Sequence, residues 1–203
     1  MKKKFFTIIL LLVFNSFYAQ INNRNLSLGF YYGFGQDINN KDYFYDSHHY
    51  KFELSYSIRE SKNFKYELVV QPQMSFVKHQ LLNLEYVGSD VPNYMEKREK
   101  YGKLKVIKDY ILNVGLTVSK PVSEKCNVFV VGSIGPMITD TETERLSKGF
   151  AFSSVLSLGV SLKVYNSILE LRPNFNHISN AGLQKLNNGF STFNLEFGLK
   201  FPL

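Results

Sequence analysis

Residues 64–76 read Phe64-Lys-Tyr-Glu-Leu-Val-Val-Gln-Pro-Gln-Met-Ser-Phe76, and their alternation decides the fold. In an extended chain successive side chains point to opposite faces. Phe64, Tyr66, Leu68, Val70, Pro72, Met74 and Phe76 therefore share one face, opposite Lys65, Glu67, Gln71 and Gln73. An apolar face held this long exceeds the usual strand of a soluble sheet and suits a tilted strand crossing a bilayer.

The same pattern spreads in both directions. Upstream, across a turn at Glu60–Asn63, Tyr50, Phe52, Leu54, Tyr56 and Ile58 oppose Lys51, Glu53, Ser55 and Ser57. Before that, Leu26, Leu28, Phe30, Tyr32 and Phe34 oppose Ser27, Gly29, Tyr31 and Gly33. Downstream, Tyr110–Val118 follows the rule, and Asn127–Ile138 is glycine-rich with an ambiguous facing. Phe150–Val164, Leu169–Ser179 and Phe193–Phe201 complete eight expected strands. A soluble sandwich or lipocalin-like barrel shares this alternation with its apolar face turned inward. The continuous apolar face of nearly every run, with aromatics toward strand ends, favours a lipid-facing wall around a polar, ion-paired interior. Connections around 60–63, 119–126 and 165–166 are short, whereas 36–49, 78–103, 139–148 and 180–189 are longer. Strict alternation of the two predicts an all-β, eight-stranded antiparallel transmembrane β-barrel of the outer membrane, with the short turns periplasmic.

Lys2-Lys-Lys4, the apolar run Phe5–Phe14 and a small residue at Ala19 predict a secretory signal peptide over 1–19, leaving 20–203 as one barrel domain. Removing those lysines lowers the formal charge from +7 to +4, spread along the chain, so nucleic acid is not an expected partner. The single cysteine, Cys126, excludes an internal disulfide framework. No Cys/His spacing suggests a metal site, and no cofactor is expected.

One strand breaks the apolar rule. His177 and Ser179 occupy the face carried by Leu169, Leu171, Pro173 and Phe175, at the end of the seventh strand next to a long loop. That places them on the lipid side at outer-leaflet depth, beside the ester-linked chains of lipid A. A histidine of near-neutral pKa can take a proton from a serine hydroxyl, and the serine can attack an ester carbonyl. Asn180 and Asn187 are candidate donors to the oxyanion. The plainer alternative makes both residues solvated headgroup contacts. His48, His49 and His79 are expected as surface residues in or beside loops, Lys97-Arg-Glu-Lys100 as a solvated loop face, and Glu170, Arg172, Glu196 and Lys200 as interior ion pairs.

The segment His177-Ile-Ser-Asn-Ala-Gly-Leu183 with Asn187-Asn-Gly189 resembles the signature of the lipid A 3-O-deacylases, the PagL type of outer-membrane acyloxyacyl hydrolase. Val131–Pro136 and Gly149–Phe152 resemble the family's fifth and sixth strands. The resemblance implies an eight-stranded barrel in a Gram-negative outer membrane, embedded among lipopolysaccharide. Its substrate would be lipid A, with Ser179 as nucleophile, His177 as general base, and Asn180 and Asn187 near the oxyanion. It also implies a glutamate on the last strand, where this chain has Ser191. Ser191 shares the facing of Phe193 and Leu195, so the place is kept and the charge is missing. Asp140, Glu142 and Glu144, in the loop before the sixth strand, are the candidates to supply it. The alternative function is a non-catalytic structural or surface-binding barrel that has lost its acid.

Overall fold

A computed structural model describes residues 25–38 and 41–203; the expected signal peptide lies outside these residues. Eight antiparallel strands form a closed barrel in sequence order. They are β1 (Leu26–Asp37), β2 (Tyr43–Glu60), β3 (Lys65–Leu81), β4 (Lys105–Pro121), β5 (Cys126–Thr139), β6 (Gly149–Val164), β7 (Ser167–Ser179) and β8 (Phe190–Pro202). Each strand pairs with its chain neighbours, and β1 closes on β8 from Ser27↔Pro202 to Asp37↔Thr192. Closure removes both sheet edges, which a bilayer without water would otherwise leave unsatisfied.

The alternation resolves as expected. Phe52, Leu68, Leu116 and Phe197 are exposed on the outer wall, while Lys51, Glu53, Glu67 and Arg172 are buried inside. Arg172 donates to Glu53 (2.6 Å from Nη1), to Glu170 and to the Tyr31 hydroxyl (2.7 Å), with its guanidinium 4.0 Å from the Tyr31 ring centroid. Tyr31 lies flat against the wall because Gly198 has no side chain; a Cβ there would come within 2.0 Å of the ring. Lys51 and His49 share Glu196 at 2.6 and 2.9 Å, and Lys200 holds Glu67 at 3.0 Å. Glu170, Arg172, Glu196 and Lys200 are thus the expected ion pairs, compensating charges that are buried in the barrel. Asn127–Ile138, ambiguous in sequence, turns Phe129, Val131 and Met137 inward.

At the long-loop end the interior changes character. Tyr43, Tyr45, Val77, Leu81, Ile107 and Phe190 form a buried apolar cluster that continues into the loops through Val87 and Leu146. Strands there follow the soluble-protein rule, apolar inside and polar outside, with Lys78 and Lys108 exposed on the outer wall.

This inversion corrects three expectations. The expected loop 36–49 is mostly strand, since β1 runs to Asp37 and β2 begins at Tyr43. His49 and His79 are buried rather than on the surface: His49 on Glu196, and His79 on Glu144 at 3.0 Å. His48 does face outward, stacked on Phe76 with centroids 5.3 Å apart. The segment Lys97–Lys100 belongs to a helix, α1 (Tyr94–Gly102), rather than an irregular loop. It is clamped to the loop before β6 where Lys100 and Tyr101 donate to Glu142 at 2.9 and 2.7 Å. Partial burial pushes the Glu142 carboxyl up, but these bonds and the nearby lysine charges outweigh it and hold the group below its usual range.

Candidate active site

β7 places Leu169, Leu171 and Phe175 outward, and the same parity carries His177 and Ser179 onto the outer wall at the long-loop end. The neighbouring strands complete a polar row. His177 lies opposite Ser154 of β6 on one side and Ser191 of β8 on the other. Ser191 Oγ is 3.0 Å from His177 Nδ1, and Ser154 Oγ donates to the His177 carbonyl at 3.4 Å.

The Ser191 contact follows from the ladder. Ile38 N–H donates to the Ser191 carbonyl at 3.0 Å, and Ser191 N–H donates to Asp37 Oδ2 at 3.2 Å. Both backbone groups of Ser191 thus turn toward β1. Its pair with His177 is therefore the non-hydrogen-bonded kind, in which opposed side chains approach most closely.

Ser179 stands one outward step further along β7, opposite Phe152. Among the described residues, no hydrogen bond joins Ser179 to His177. The free-enzyme geometry brings His177 to Ser191, and the shared face keeps Ser179 beside it. Catalytic hydrogen bonds are often long until substrate is bound.

The loop after Ser179 is tightly built. Asn180–Leu183 is a turn with positive φ at both central residues, Ala181 (52°) and Gly182 (78°), closed by Leu183 N–H to the Asn180 carbonyl at 3.0 Å. Asn180 and Asn187 do meet. The Asn180 backbone N–H donates to Asn187 Oδ1, and Asn180 Nδ2 to the Leu186 carbonyl, both at 2.7 Å. Asn180 Oδ1 accepts from Gly182 N–H at 3.1 Å. The fully buried Asn180 therefore shapes the turn, with its backbone N–H and one of its two side-chain N–H groups engaged. The Asn187 side-chain amide nitrogen makes no hydrogen bond among the described residues.

Arg145, which carried no signal in the sequence, ties this loop down. Its Nε donates to the Gly189 carbonyl at 2.6 Å, its own carbonyl accepts from Gly189 N–H at 3.1 Å, and its guanidinium lies 5.2 Å from the Tyr43 ring centroid. Gly189 (φ 62°) passes so close to β7 that a Cβ would sit 2.1 Å from the Ile178 carbonyl and 3.4 Å from Ser179 Cα. Gly189→Ala is therefore expected to displace the Ser179 end of β7, costing about 1–3 kcal/mol of stability. With Ser179 as a nucleophile, turnover would fall by roughly 10²-fold through misplacement, checked by thermal unfolding and initial rates on the folded fraction.

The three acids before β6 do not reach His177. Asp140 accepts from Lys108 N–H and Thr141, Glu142 is held by α1, and Glu144 is buried on His79. Ser154 carries a signal of its own in the sequence: it interrupts an outward series, Phe150, Phe152, Leu156, Leu158, in which only a polar-tolerant position would accept serine. Among the described residues no three His, Cys, Asp or Glu side chains are grouped to hold a metal ion.

A family model described as lipid A 3-O-deacylase (PagL) matches residues 63–200. Among solved structures, the outer membrane enzyme PagL superposes with a TM-score of 0.57 at 12% identity, covering 86% of this chain and 99% of its own. Neisserial surface protein A gives 0.50 at 11% identity, covering 88% and 96%. No curated protein sequence matches the chain.

Proposed function

This chain belongs to the lipid A 3-O-deacylase (PagL) family of the Gram-negative outer membrane, and from that premise we propose that it hydrolyses the 3-O-linked acyl ester of lipid A through Ser179 and His177. The observation that carries the reading is the polar row Ser154–His177–Ser191, with Ser179 beside it, on the outward face of β6, β7 and β8, which is otherwise lined by apolar residues such as Leu156, Leu171, Phe175 and Phe193. With the long loops outside the cell, that row lies at outer-leaflet depth, where the ester bonds of lipid A reach the protein laterally.

The chemistry follows from the Nδ1 contact. Nδ1–H donates to Ser191 Oγ, which leaves the Nε2 lone pair to take the proton of Ser179 as its oxygen attacks the acyl carbonyl. The tetrahedral oxyanion is met by the Asn187 amide and by the backbone N–H of Ala181, since that of Gly182 is taken by Asn180 Oδ1. Collapse expels the sugar hydroxyl, protonated by His177. Water, activated by the same imidazole, then releases the fatty acid from Ser179. Neither step requires a metal or cofactor. Residues 1–19 act as the export leader and 20–203 as the barrel, so the exported protein would begin near Gln20.

The test is direct. The full barrel, folded in detergent, is incubated with lipopolysaccharide, and products are read by mass spectrometry. Loss of one acyl chain with release of a 3-hydroxy fatty acid supports the proposal; unchanged lipid A sinks it. Ser191 in place of a carboxylate favours a second reading, a surface barrel with no catalytic role, which predicts the unchanged mass. A hydroxyl orients imidazole but stabilises imidazolium poorly, and in a serine protease triad losing the charge costs about 10⁴-fold, partly through the wrong tautomer. Ser191→Glu is accordingly expected to raise kcat about tenfold or more. Equal or lower kcat with intact folding would mean that the missing charge does not limit the rate.

A further inference from the structure

We propose that Asp37 is a positioning residue of this site, setting the tautomer of His177 through Ser191. The inference rests on the reading of His177 as general base. It starts from a carboxylate at the seam between β1 and β8: Asp37 is buried, and its Oδ2 accepts the Ser191 N–H at 3.2 Å. With Ile38 N–H on the Ser191 carbonyl, the end of β1 grips both backbone groups of the residue whose hydroxyl meets His177 Nδ1.

The anion does more than hold the backbone. Asp37 meets Ser191 at its backbone N–H and not at its hydroxyl, and a carboxylate so close to the residue favours a hydroxyl proton turned toward β1 and lone pairs turned away from it. For Ser191 that means lone pairs directed at Nδ1, so Nδ1 carries the ring proton and Nε2 stays free for Ser179. The family's glutamate would impose this state from the outer wall. Here the charge lies in the wall, beneath a serine that passes on its orientation. Other groups around Asp37 do not duplicate this contact. The Tyr43 hydroxyl also hydrogen-bonds Asp37, Tyr45 lies nearby on β2, and Arg145 lies over the Tyr43 ring. Glu144 is taken by His79, while Ser154 reaches only the His177 carbonyl.

The tautomer is read by ¹⁵N NMR of histidine-labelled full chain in micelles, with His177 assigned by loss of its signals in His177→Asn. The wild type is expected as the Nδ1–H form. Asp37→Asn is expected to shift it toward Nε2–H and to lower kcat about tenfold with KM unchanged. Asp37→Glu should restore both. Tyr43→Phe, which removes the Tyr43 hydrogen bond to Asp37, should move neither. An unchanged tautomer in folded Asp37→Asn, or an Nε2–H form in the wild type, overturns the proposal. Because the spectrum needs no turnover, a wild type inert toward lipopolysaccharide would defeat the catalytic reading separately, and a tautomer shift in Asp37→Asn would still support the Asp37 coupling.

Discussion

Ser179→Ala is expected to reduce deacylation of lipopolysaccharide by about 10³-fold or more, and His177→Ala by a similar factor, with the barrel folded normally in both. In the proposed mechanism the two side chains act on one proton, so removing either removes the covalent route, and the double variant should be no worse than the singles. Neither change touches the fold. Both residues sit on the outer wall, and among the described residues the His177 ring hydrogen-bonds only to Ser191. Stability should therefore change little, and an unchanged heat-modifiable mobility on gels would confirm it. KM should stay near the wild-type value, because lipid is gathered by the wall and not by the reacting atoms. A Ser154→Ala control at the same depth is expected to keep most activity, since Ser154 bonds only the His177 carbonyl. Deacylation that survives both Ser179→Ala and His177→Ala would place the chemistry elsewhere.

The strands are legible in the sequence because period two is enforced by two surroundings at once, lipid outside and a charged interior inside. That logic also explains where the expectations fail. From Tyr43 to His49, β2 has left the hydrocarbon: Asp46 and His48 face outward while Tyr43 and Tyr45 face the apolar cluster under the loops. A rule that looks for apolar residues on the outer face stops at Tyr50, although the strand continues. His79 misleads for the same reason, since β3 continues to Leu81 with Val77 and Leu81 inside. At the site, His177 and Ser179 stand out through facing parity, whereas Ser191 is reached only through the family resemblance, with its parity in agreement. The loop contacts are not legible in the sequence. Asn180 reads as a spare amide but donates within its own loop, to Leu186, while Arg145 meets Gly189 across two loops and Asp37 meets Ser191 across the β1–β8 seam, contacts that only the folded barrel brings together.

The interior ion pairs set the largest expected effect on stability. Arg172→Ala would leave the buried Glu53 and Glu170 facing each other without the guanidinium between them, keeping only neutral donors such as Gln71, Ser55 and Tyr31. Removing one partner of a buried pair costs about 3–5 kcal/mol, chiefly through the uncompensated charge that remains. The loss should appear as a lower urea midpoint for the folded barrel in micelles, with the slope unchanged. Two controls identify the cause. Glu53→Gln in the Arg172→Ala background removes one stranded charge and should recover part of the loss, so the pair of changes is less than additive. Arg172→Met fills the volume without the charge and should be nearly as damaging as alanine, because a void is not the main cost. Recovery by methionine alone would mean that lost packing, and not stranded charge, destabilises the alanine variant. The folded fraction of Arg172→Ala should deacylate at the wild-type rate, because Arg172 points into the barrel and contributes no group to the Ser179–His177 row on the outer wall.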